Sequence, residues 1–77
     1  MTGRPVKRSV MIAGHRTSVS LEGPFWHALQ EMAAARGITI TTLIQNIDAT
    51  RDAHDTGLSG ALRVAALQHF RALANRG

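Results

Sequence analysis

The sequence predicts a mainly α-helical domain fronted by a short β ribbon. From Thr17 to Leu21 the residues alternate, with Thr17, Val19 and Leu21 on one side and Ser18 and Ser20 on the other, the period of a strand. Phe25, Leu29, Met32 and Ala33 then recur at helical spacing, and a second apolar helical face follows at Leu43, Ile44 and Ile47. With 77 residues, one domain is the limit.

Taken in order, Met1–Val6 holds Gly3 and Pro5 and has no periodicity. With Lys7 and Arg8 it is expected to form a basic flexible arm over residues 1–8, leaving 9–77 as the domain, with its core at 16–51. Ser9–Ala13 is β-branched and apolar and reads as a short strand. Its apolar residues Val10 and Ile12 sit at even positions, whereas Val19 and Leu21 sit at odd ones. Strand side chains alternate between faces, so one uninterrupted strand cannot bury both sets on one side. The phase must reset between Ala13 and Arg16, and Gly14 is the obvious place for a turn or bulge.

The first helix is expected from Pro24, a residue suited to the first helical position, to Arg36, with Gly37 stopping it. His27, Gln30, Glu31 and Ala34 fall opposite its apolar stripe, and Trp26 lies beside the stripe, a place for core or subunit contact. Thr39 and Thr41 are expected to cap a second helix running from about Ile40 to Arg51. Asp52–Gly57 is polar and reads as a linker. Ser59 is expected to cap a third helix, at about 59–74, with Leu62, Ala65, Ala66, Phe70 and Leu73 on its apolar side and Leu58 at its entry. Arg63, Gln68 and Arg71 are expected to face away.

The formal charge is +4, and Arg4, Lys7, Arg8 and Arg16 all precede the first acid, Glu22. A basic front end suits an anionic polymer, although a merely solvated N-terminus has the same pattern. Much of the apolar content is Ala, and Phe25, Trp26 and Phe70 are the aromatic residues. A core this thin is expected to be completed by a second subunit. No apolar run approaches the ~20 residues that span a bilayer. Val10–Ala13 is too short for a signal-peptide core, so the chain is expected to be intracellular, in the cytoplasm.

An enzyme is not expected. His15, His27, His54 and His69 lie in separate elements, and there is no Cys, so no metal site and no cofactor is expected. No nucleophile elbow and no Gly-rich phosphate loop is present.

Strand, helix, tight turn and helix follow one another here, and the turn Gly37-Ile38-Thr39-Ile40-Thr41 is the specific feature. It resembles the Gly, any residue, Ser/Thr/Asn, any residue, Ser/Thr turn of the ribbon-helix-helix (Arc/MetJ-like) DNA-binding domains. The similarity covers roughly Arg16 to Arg51. It implies an intertwined homodimer that inserts an antiparallel β ribbon into the major groove of double-stranded DNA and regulates transcription. Arg16, Ser18 and Ser20 would be the base-reading strand positions, although Ser18 and Ser20 also suit a plainly solvated face. Thr39, Ile40 and Thr41 would offer the free amides of a helix N-terminus to a phosphate, joined by Lys7 and Arg8. Val19, Leu21, Phe25, Leu29, Met32, Leu43, Ile44 and Ile47 would form the core of the dimer.

The leading strand and the third helix depart from the family pattern of one strand and two helices per subunit. The added strand would form a hairpin with Arg16–Leu21 or pad the ribbon's edge. Were it to cover the Arg16 face, the chain would instead be an interaction or oligomerisation module that keeps the fold without binding DNA.

Overall fold

A computed structural model describes residues 3–50 and 57–75 of the chain. Strands β1 (Pro5–Ile12) and β2 (His15–Glu22) pair antiparallel, from Ile12 opposite His15 to Pro5 opposite Glu22. Ala13 and Gly14 connect them at φ 52° and 81°. Two central residues at positive φ are the mark of a type I′ hairpin, whose twist matches that of the flanking strands. The turn resolves the phase conflict. Even residues of β1 stand opposite odd residues of β2, so Val10, Val19 and Leu21 bury on one side.

One expectation is corrected at the front end. β1 begins at Pro5, so Lys7 and Arg8 belong to the strand rather than to a flexible arm. Pairing with β2 supplies backbone partners that composition alone does not reveal, and a proline is tolerated as the first residue of a strand.

Helix α1 (Gly23–Arg36) follows β2 without a loop, with Pro24 in its first turn and no side-chain cap. Gly37 ends it at φ 69°, ψ 29°. The Gly37 amide donates to Ala34 O at 3.1 Å and the Ile38 amide to Ala33 O at 3.0 Å. This is the Schellman pattern, which satisfies carbonyls left open by the helix end. Helix α2 (Ile40–Thr50) is capped by Thr39, whose Oγ1 accepts the Thr42 amide at 3.1 Å. Thr41, expected to share that role, lies inside the helix and is half-buried. Helix α3 (Leu58–Ala74) has Gly57 as its N-cap, so Ser59 is a first-turn residue and not the cap. The expected end of the second helix at Arg51 and the linker from Asp52 to Thr56, with His54, lie outside the described residues.

The core forms within one chain. Val10, Val19 and Leu21 from the hairpin meet Leu29, Met32 and Ala33 of α1, Leu43 and Ile44 of α2, and Leu62 and Ala66 of α3. Each large apolar side chain so buried contributes roughly 1.5–3 kcal/mol before entropy is counted. Leu21 and Leu29 are fully buried here, so they need no second subunit to leave water, contrary to the expectation. The leading strand and the third helix supply the missing cover. Of the residues expected in a shared core, Phe25 and Ile47 remain only half-buried. An open apolar groove of about 180 Å³ runs between α1 and α3, lined by Pro24, Phe25, Ala28, Ala66, Leu67 and Phe70.

Candidate nucleic-acid interface

The hairpin's outer face follows from the same register. Lys7 lies opposite Ser20, Ser9 opposite Ser18, and Met11 opposite Arg16. Lys7, Ser9, Met11, Arg16 and Ser18 are exposed and Ser20 is half-buried. β1 therefore lies beside the Arg16 face and does not cover it. Glu22 shares that parity at the far end, but its carboxylate is held by Arg63, with Nε at 2.9 Å from Oε1 and Nη2 at 3.1 Å from Oε2. This two-point hydrogen bond keeps the Glu22 carboxyl below its ordinary pKa of 4.5. Among the described residues neither Lys7 nor Arg16 forms an ion pair. The face is thus cationic, with its one acid neutralised.

Both edges of the hairpin are held by helices. Gln45 Nε2 of α2 donates to Met11 O at 2.8 Å, and the Ser20 amide donates to Ser59 Oγ of α3 at 3.3 Å. Those two backbone groups point away from the partner strand. The outer-face pairs are therefore the non-hydrogen-bonded pairs of the ladder, in which facing side chains approach most closely.

Arg8 stands apart from the other expected phosphate ligands. Its parity turns it to the inner face, where its guanidinium stacks on the Trp26 ring at 4.5 Å from the centroid. Its Nε is buried without a hydrogen-bond partner among the described residues. Arg8 is a packing residue, and the expected pairing of Lys7 with Arg8 on one contact surface is not what the fold provides. Arg63, expected to face away, bridges α3 to Glu22 and lies 5.9 Å from the Phe25 centroid.

At the start of α2, Thr39 is exposed and Ile40 and Thr41 are half-buried. The Thr39 cap takes up the Thr42 amide, and the amides of Ile40 and Thr41 have no acceptor within the helix. No cluster of metal-ligating side chains exists among the described residues.

Comparison with known sequences settles what this arrangement belongs to. The ribbon-helix-helix domain matches residues 5–70. The chain belongs to the ribbon-helix-helix family. Members of this family are in general DNA-binding transcription regulators, and its domains are typically non-enzymatic and dimerise. The chain is also similar to a solved structure, that of an uncharacterized protein from Bordetella pertussis Tohama I. The TM-score is 0.75 at 31% identity, over 92% of this chain and 59% of that one. The chain thus spans less than two thirds of that protein's length. No curated protein matches the sequence.

In this ribbon-helix-helix domain β1 and β2 form a hairpin, one of the two arrangements expected for the added strand. Sequence reasoning singled out Arg16, Ser18 and Ser20 but missed Ser9 and Met11, which share their face. The signal was present: once Gly14 is placed in a two-residue turn, parity puts odd residues of β1 beside even residues of β2. Gln45 and Ser59 carried no such signal, since their backbone partners lie 34 and 39 residues away.

Proposed function

We propose that this protein is a sequence-selective DNA-binding regulator of transcription that inserts its β hairpin into the major groove. The observation that carries this is the exposed outer face, on which Lys7 and Arg16 flank Ser9, Ser18 and Ser20 and the one acid, Glu22, is tied to Arg63. A major groove about 12 Å wide admits a two-stranded ribbon. Arg16 would bond a guanine edge through its guanidinium fork, and Ser18 and Ser20 would add less selective hydrogen bonds. Lys7 and the free amides of Ile40 and Thr41, beside Thr39, would hold backbone phosphates and set the register.

The protein would act in the cytoplasm as a homodimer on paired half-sites. The apolar groove between α1 and α3, where Leu67 is 55% exposed, supports a further subunit contact. Among the described residues no helix is long and apolar enough to cross a membrane. The same groove favours a second reading, an interaction module without DNA contact. Selection from a pool of random duplex DNA separates the two. Enrichment of a common sequence, lost in Arg16→Ala, is the expected result, and the absence of any retained duplex favours the module. Sedimentation of the protein alone tests the dimer, which a single species of monomer mass at micromolar concentration would exclude.

A further inference from the structure

We infer that Met11 is a second base-reading residue, contacting the methyl group of a thymine next to the base pair read by Arg16. The inference rests on the DNA-binding reading and deepens it. Met11 is 48% exposed. Its neighbours on the outer face are Lys7, Ser9, Arg16, Ser18 and Ser20, and the other apolar residue of that face, Pro5, is at the opposite end of the strand. Single exposed apolar side chains also occur elsewhere on this chain, at Val6, Val64, Leu67 and Leu73, and what distinguishes Met11 is its place at the turn end of the cationic face. One contact and the strand register place its backbone. Its carbonyl accepts from Gln45 Nε2 at 2.8 Å, so this end of β1 is anchored to α2. Met11 also stands directly opposite Arg16, in a pair of the closely approaching kind.

Facing side chains in such a pair are about 4.5–5.5 Å apart at Cβ. Successive base pairs are separated by about 3.4 Å. When Arg16 reaches a guanine edge, Met11 therefore lies over the adjacent step of the same groove. The major-groove edge of thymine offers an apolar group, the C5 methyl, which an apolar side chain contacts. The unbranched thioether adapts to such a surface with little steric demand. The hairpin thus reads two neighbouring base pairs with two chemistries, one from each strand.

The test uses the full chain and the duplex it enriches from a random pool, synthesised again with each thymine in turn replaced by deoxyuridine, which lacks only the methyl. Wild type is expected to lose roughly threefold or more in affinity at one thymine per half-site, about the effect of burying one methyl. Met11→Ala and Met11→Gln are expected to bind the thymine and deoxyuridine duplexes equally, and Met11→Leu to keep the discrimination. The thermal melt of each variant reports folding independently, and the near-isosteric Gln variant serves if the Ala variant does not fold. Undiminished discrimination in a folded Met11→Gln, or wild type indifferent to every replacement, overturns the inference while leaving DNA binding in place. If wild type retains no duplex from the pool, the DNA-binding reading itself fails and the inference falls with it.

Discussion

Ala13 carries the one positive φ among the described non-glycine residues, 52°, in a hairpin turn that prefers Asn-Gly. A left-handed backbone at alanine costs on the order of 1 kcal/mol, which asparagine partly relieves. Ala13→Asn should raise the midpoint of thermal unfolding, and an unchanged or lower midpoint would mean the turn is not strained. Gly37, at φ 69°, gives the opposite case. Gly37→Val should destabilise by roughly 1–3 kcal/mol in a denaturant titration, because a β-branched residue is poorly tolerated there. Arg8 separates packing from DNA contact. Arg8→Ala should lower stability by about 0.5–2 kcal/mol through loss of the stack on Trp26. It should leave the salt dependence of DNA binding unchanged, whereas Lys7→Ala should reduce it.

Among the described residues, the Glu22–Arg63 pair makes the attachment of α3 sensitive to pH. Arg63 lowers the Glu22 pKa through its hydrogen bonds, so the carboxylate is favoured in the folded state. The contribution of this pair is complete above the ordinary value of 4.5 and is lost as pH falls through the lower folded value. Glu22→Gln should therefore melt below wild type at pH 7, and the difference should shrink in acid below about pH 4. A gap that stays constant down to pH 2 would remove the charge from the explanation. The elements were legible where their causes are local. Gly37 and Thr39 announce a helix end and a helix start by backbone freedom and hydroxyl capping, and both act there. The parity conflict between Val10 and Val19 required a reset, and the hairpin supplies it. What was not legible depends on distant partners. Parity puts Arg8 on the inner face with Val10, but its stack on Trp26 depends on the folded chain, and Arg63 turns inward because Glu22, 41 residues earlier, lies within reach. Ser59 lies inside the first turn because the helix starts at Leu58, and its oxygen is then available to the Ser20 amide.

At the scale of the whole molecule, the added strand and the added helix allow one chain to bury its own core. Leu29 is fully buried, and Leu29→Ala should cost roughly 2–5 kcal/mol. That is a large part of the roughly 5–15 kcal/mol typical of a domain. Leu21→Asp should abolish folding, since a carboxylate placed there has no partner. A self-sufficient core frees the outer face of the hairpin for another role, and the charge on that face points to DNA. The most direct test measures duplex DNA binding against salt for wild type, for the double variant Lys7→Ala with Arg16→Ala, and for Arg71→Ala with Arg36→Ala. Both double variants remove two formal charges, the first from the hairpin's outer face and the second from the helices, where Arg36 and Arg71 are exposed. Wild type should show a linear fall of log affinity with log salt concentration, with a slope smaller by about one per lost phosphate contact in the hairpin variant alone. Equal losses in the two double variants, or no salt-dependent binding by wild type, would contradict the assignment of this face to DNA.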